Sequence, residues 1–302
     1  MEAWIPVTLV AATAQTLRFM LQKHLKSTRL NTAGATLSRF VYSAPLVALT
    51  LVVYMAVTKQ ALPETSPRFW VFALSGGLAQ ILATLCVVAL FAERNFAVGI
   101  TLKKTEVLQA AILGFLILGE SVTFPAAGAI LLGFVAVLFL SEGRSASGAG
   151  LRGHGLFNRA IGLGLLSGVL FAFSGIGYRG ATLALASDNP VVRAGLTLAL
   201  VTASQSLAMG SWLFWRDRAQ LGAVLRAWRV AGLVGITSMI GSFGWFLAFT
   251  LQTVAYVKAL GQVELVLSLL ASVLFFRERV TRREIGGIAL LLASILILVL
   301  VT

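Results

Sequence analysis

Glu120-Ser-Val-Thr-Phe-Pro-Ala-Ala-Gly128 and, 158 residues further on, Glu278-Arg-Val-Thr-Arg-Arg-Glu-Ile-Gly286 are two copies of one segment. Extended outward without a gap, residues 70–140 align on 228–298 with 16 of 71 positions identical. Chance in helices this rich in Leu, Ala and Val gives about a tenth. The identities include Trp70 with Trp228 and Glu106 with Glu264, residue types that do not recur by composition alone. A weaker register of 154 sets Arg39 on Arg193. The chain is an internal repeat.

What is repeated is hydrocarbon-soluble helix. Of 302 residues 58% are hydrophobic and 12% charged, and mean hydropathy is +0.93. A soluble domain carries about 25% charged residues, so this chain lacks the charge to cover a water-facing surface. Apolar stretches run to about 20 residues without the two-residue alternation of barrel strands. The reading is an all-α polytopic membrane protein. Ten spans fall near 3–22, 33–57, 69–91, 95–118, 122–141, 159–186, 190–214, 229–251, 254–276 and 284–301. Met1-Glu2-Ala3-Trp4 has neither a basic leader nor a cleavage pattern, so the first span is kept as mature sequence. Small residues (Gly76-Gly77, Gly164, Gly168, Gly286-Gly287) are expected where helices touch.

The polar stretch from Glu142 to His154 divides the chain. Residues 1–142 form a first five-helix repeat, 143–157 a linker and 158–302 a second repeat. Five is odd, so the second repeat lies inverted against the first, about a pseudo-two-fold axis in the membrane plane. Connections leaving odd-numbered spans hold 15 Lys and Arg, among them Lys23, Arg144, Arg218 and Arg277; the other face holds Lys59 and Arg68. The positive-inside rule then places both termini outside. The net charge of +13 is accounted for by these loops and by anionic lipid, with no nucleic acid implied.

Chemistry is carried by the charges inside spans. A charge at the bilayer centre costs at least about 2.5 kcal/mol on insertion scales, so it needs a partner, a cavity or a function. Glu106 and Glu264 both fall near the midplane, in Leu102-Lys103-Lys104-Thr105-Glu106-Val107-Leu108-Gln109 and Leu260-Gly261-Gln262-Val263-Glu264-Leu265-Val266-Leu267. Inverted-repeat transporters hold substrate and ions at that depth. Alternatively each glutamate is a packing anchor between helices. Adjacent Lys103 and Lys104 point about 100° apart on a helix, so one pairs with Glu106 while the other faces a cavity. Arg39 and Arg193 begin the second helix of each half and meet an anionic end or anchor at the interface. Arg18 and Lys258 read as snorkelling side chains, and Arg179 is ambiguous. Thr105, Gln109 and Gln262 offer neutral hydrogen bonds; Tyr178, Trp245 and Tyr256 offer stacking surfaces. Seven basic residues against two acids within spans favour an anion or a carboxylate-bearing zwitterion.

No catalytic set or phosphate-cradling loop occurs. His24 and His154 lie far apart and Cys86 stands alone, so no metal site is expected, and neither an enzyme nor a cofactor is indicated.

The segment Ala89-Leu-Phe-Ala-Glu-Arg-Asn-Phe-Ala-Val-Gly99, then Gly119-Glu120-Ser-Val-Thr123 with Gly128 and Gly133, resembles the closing part of an EamA domain. The second copy, ending Arg277-Glu278-Arg-Val-Thr281 with Gly286, is similar. The resemblance is to the drug/metabolite transporter superfamily, one domain per half. It implies a ten-helix inverted-repeat carrier of the inner membrane, commonly an exporter of amino acids, other metabolites or drugs, working by alternating access and often driven by protons. A monomer or weak homodimer in the lipid bilayer suffices for that. Two departures stand out. Relatives usually carry a proline in the fourth and ninth helices, where this chain has Lys104-Thr105-Glu106 and Gln262-Val263-Glu264. They also usually keep both termini cytoplasmic. The expected function is secondary transport of a small polar metabolite, an amino acid or organic acid. Alternatives are an exporter of lipophilic cations and a non-transporting membrane scaffold.

Overall fold

The computed structural model describes residues 2–90, 103–145, 159–267 and 282–301. Within them the chain is helical: α1 Trp4–Thr28, α2 Thr32–Thr58, α3 Pro67–Leu90, α4 Glu106–Leu118, α5 Phe124–Ser145, α6 Arg159–Leu183, α7 Pro190–Arg216, α8 Arg218–Arg226, α9 Trp228–Leu251, α10 Val254–Leu260 and α11 Arg282–Leu300. Six of these (α1, α2, α3, α6, α7 and α9) are long and apolar enough to cross a membrane. The family-like segment 91–99, the Glu278–Thr281 motif and most of the expected linker lie outside the described residues. At the linker's start, 143–145 continue α5.

Local sequence accounts for the boundaries. Nothing breaks α1 at residue 22, so it runs on to Thr28, its last turn holding Lys26 where a cation meets the helix dipole. Asn31 then caps α2, its side chain accepting from Gly34 N at 2.8 Å. Asn189 caps α7 in the same way, with Pro190 in the first turn where no amide donor is needed. Short α8 was not expected. Asp217 caps it, and it lies against the α1–α2 turn, where Asn31 N donates to Gln220 Oε1, and against α2, where the Tyr42 hydroxyl donates to Val224 O.

Packing runs mostly between the halves. α3 lies along α6 and α1 along α9; α2 touches α7 and α9; α5 lies along α11, and α4 meets α10. Glycine permits the closest of these crossings. A Cβ on Gly177 would sit 2.8 Å from Gly76 Cα and 2.9 Å from Phe72 O, so α3 and α6 meet backbone to backbone. Gly244 gives α9 the same approach to Ala11 of α1. Gly128 and Gly286, the repeated pair, instead have nothing within 4 Å of a Cβ among the described atoms. The expectation that Gly286 marks a helix contact is corrected accordingly.

Two interruptions matter most. Lys104-Thr105 form a turn just before Glu106, and Gly261-Gln262 form one just before Glu264. At the second, Gln262 N bonds Ala259 O and Glu264 N bonds Gly261 O, three-residue links in place of four-residue ones. No proline is involved. Neighbours shape both turns: a Cβ on Gly168 of α6 would press Lys103 O at 3.1 Å, and one on Gly261 would strike the Trp245 ring at 2.5 Å.

Candidate functional site

The two interruptions bring the midplane charges together. Lys104 Nζ meets Glu264 Oε2 at 2.8 Å, while Lys258 Nζ and Lys103 Nζ each lie 3.5 Å from a different oxygen of Glu106. Each glutamate thus takes a lysine from the opposite half of the chain. The other Glu264 oxygen accepts from Gln15 Nε2 of α1. All five charged residues are buried, none more than 9% exposed, and they lie close enough to act on one another electrostatically. Phe171 of α6 lies near both lysines of Glu106, its ring 4.9 Å from Lys103 Nζ and 5.5 Å from Lys258 Nζ. The Trp245 ring lies 5.2 Å from Lys258 Nζ.

A second polar layer adjoins this one. Arg39 donates to Thr84 Oγ1 at 2.9 Å and to Ser242 Oγ at 3.3 Å. The Gln80 amide, turned with its oxygen toward the guanidinium, accepts from both terminal nitrogens at 2.7 Å and donates to Ser174. Arg18 Nη2 reaches Gln15 Oε1 at 3.3 Å, so one amide links Arg18 to Glu264. Tyr178 stacks on Phe246 with centroids 4.1 Å apart and accepts from Gln205.

Other expected site residues are placed elsewhere. Arg193 does not reach the charges: it stays half-buried at the start of α7, where Nε donates to Thr182 O near the end of α6. The carbonyls left free there hold it, so it serves a helix end. Tyr256 bonds Thr123 through its hydroxyl at 3.3 Å and steadies the α4–α5 connection. Gln262 turns its oxygen toward Gly133 of α5. Gln109 donates to Thr105 Oγ1 at 3.0 Å, leaving its own oxygen beside Gly168. Arg179 pairs with Glu120 and donates to Phe249 O and Gln252 O, a clasp on the end of α9.

Lys258 and Arg18 overturn their interfacial readings. Arg18 is mid-helix because α1 runs six residues beyond the expected end, and Lys258 lies in the last turn of α10, under Trp245 and Phe249. A lysine or arginine four to eight residues inside an apolar run was the available signal. Among the described residues no three His, Cys, Asp or Glu side chains gather as a metal site.

Comparison with known proteins adds the family. Residues 158–300 match the EamA-like transporter family. Over this stretch the chain is similar to the EamA-like transporter family. The matched segment contributes Lys258, Glu264, Trp245, Ser242 and Phe171 to the buried site, and the first half supplies Gln15, Arg18, Arg39, Lys103, Lys104 and Glu106. No curated protein matches the chain. Among solved structures 29 chains match. One of them, known only as a protein solved by crystallography, is 16% identical with a TM-score of 0.67, over 98% of this chain and 99% of that one. At that identity the likeness is one of fold.

Proposed function

We propose that this EamA-like membrane protein is a secondary active transporter of a small carboxylate-bearing metabolite, an amino acid or organic acid, working by alternating access between two inverted five-helix halves. The observation that carries the reading is the exchange of lysines between the halves. Lys104 reaches Glu264 and Lys258 reaches Glu106, at the depth where repeats of this kind bind cargo. The packing supports the ten-helix inverted arrangement. Exchanging the halves turns the α3–α6 contact into the α1–α9 contact, and returns α2–α7 and α5–α11 to themselves.

Interruptions in both glutamate-bearing segments give each half a bend at the same depth, the local freedom that a rocking motion needs. Glu106 and Glu264 are the coupling groups. In one state they neutralise the lysines; a proton on a glutamate, or an anion on a lysine, releases the pair. Five buried cations (Arg18, Arg39, Lys103, Lys104 and Lys258) against these two carboxylates favour anionic cargo. The protein acts in the inner membrane, without enzymatic chemistry, as a monomer or weak homodimer.

A second reading has its own support. An apolar crevice of about 580 Å³ between α1, α2, α7 and α9, lined by Val7, Val47, Tyr54, Leu198 and Phe243 among others, suits lipophilic cargo. Flux into proteoliposomes separates the two. Gradient-driven movement of succinate, glutamate or a related acid supports the first reading. Movement of tetraphenylphosphonium without any acid replaces it with drug efflux, and no movement of either contradicts transport of both classes.

A further inference from the structure

Among the described residues, two guanidiniums in the middle of the bundle have no carboxylate within salt-bridge distance. Arg18 is 2% exposed, its Nε has no hydrogen-bond partner, and its one polar contact among the described residues is the long bond to Gln15. Arg39 is 5% exposed, and its partners Thr84, Ser242 and Gln80 are all neutral. At Arg18 the repulsion from Arg39 outweighs the attraction of Glu264, which is linked to it through Gln15. The lysines differ: each of the three lies within 3.5 Å of a glutamate oxygen. Retaining two like charges near each other, buried and with no carboxylate in direct contact, is unfavourable unless a bound anion completes the set.

We infer that Arg18 and Arg39 form the binding site for the anionic group of the cargo, with the lysine–glutamate cluster acting beside it as the coupling element. This rests on the transporter reading above and moves the anion from the lysines to the arginines. A guanidinium suits the task because its planar fork holds two oxygens at once. Thr84, Ser242 and Gln80 fix the Arg39 fork, while the free Nε of Arg18 supplies a donor with nothing else to bind. Phe19, 4.6 Å from the Arg18 guanidinium carbon, forms an apolar side. Occupancy is also relayed. Gln15 holds Arg18 with its oxygen and Glu264 with its nitrogen, so an anion that draws Arg18 away frees Gln15 and loosens the Lys104–Glu264 contact.

The test is ligand-dependent melting of the full-length protein in detergent, titrated with sodium succinate, sodium glutamate and inorganic phosphate. Each variant is compared with its own unliganded melting temperature. Succinate or glutamate is expected to raise the melting temperature of the wild type, Arg18→Gln and Arg39→Gln to weaken the apparent Kd tenfold or more, and surface Arg218→Gln to leave it within twofold. Arg18→Lys, which keeps the charge but not the fork, covers the case in which Arg18→Gln does not fold, and is also expected to weaken binding tenfold. Unchanged Kd in the Arg18 and Arg39 variants, with the wild type still binding, overturns the arginine site and leaves the transporter reading intact. Stabilisation by phosphate alone, lost in Arg18→Gln, upholds the arginine site and overturns carboxylate cargo. No stabilisation of the wild type by any of the three overturns both.

Discussion

Lys104 and Glu264 stand 160 positions apart in the chain and meet at 2.8 Å, Nζ to Oε2, where both are buried. Lys258 and Glu106 make the reciprocal contact at 3.5 Å. Each half therefore neutralises the other, and neither half's charges are balanced in the same way without its partner. A buried pair of this kind is weak evidence for stability as such, because desolvation offsets most of the Coulombic gain. Its consequence is conditional: the charges are tolerable only while the halves stay in register.

Breaking one partner is accordingly expensive. Glu264→Gln leaves Lys104 buried beside an amide, and the expected loss of stability is about 3–5 kcal/mol. Lys104→Met costs a similar amount alone. Combined, the two should fall short of additivity by about 1–3 kcal/mol, the coupling of residues in direct contact. Unfolding of the four detergent-purified proteins measures this, and additive losses would show that the contact carries no energy.

The helix crossing at Gly76 and Gly177 makes a separate prediction. Gly177→Ala drives a methyl into the backbone of α3, which has no side chain to swing aside. Overpacking of this sort costs about 1–3 kcal/mol. Gly286→Ala meets nothing within 4 Å among the described atoms and should change stability by less than about 0.5 kcal/mol. Melting temperatures of the two variants check the contrast; equal effects would contradict the close approach.

Much of this was legible in the sequence, and the exceptions have physical reasons. Period and length anticipated the six long apolar helices among the described residues, and the 158-residue repeat singled out the two glutamates that meet the lysines. Arg18 was misjudged because a helix end was placed at residue 22, where the polar run Gln22-Lys23-His24 begins; the chain has no breaker there, and α1 continues to Thr28. Lys258 was misjudged because its depth follows from what covers it, Trp245 and Phe249 of another helix. Partner choice was not legible either. Glu106 does keep Lys103 one turn away, but the crossed contacts span more than 150 residues, and no local pattern encodes which lysine crosses. The turns before both glutamates form without the expected proline, shaped by Gly261 under Trp245 and by Gly168 beside Lys103.

Orientation follows from loop charge and differs from what the family resemblance implies. The face that carries α8, with Arg216, Arg218 and Arg226 around it, is expected to be cytoplasmic, and the face of Lys59 to be external. The native Cys86 is buried, so introduced cysteines report cleanly. In intact cells an impermeant maleimide should label Gln60→Cys and spare Ala219→Cys. The opposite pattern would place the termini inside.

The claim on which the account depends is that Glu106 and Glu264 couple the movement of cargo to a gradient. Gradient-driven uptake of the stabilising carboxylate into proteoliposomes, by the wild type, Glu106→Gln and Glu264→Gln, tests it most directly, with folding of each variant verified by its melting transition. Folded protein of either variant is expected to lose uphill transport at least tenfold while the wild type accumulates the acid. Unchanged uphill rates in both variants would contradict that coupling and return the two glutamates to a packing role.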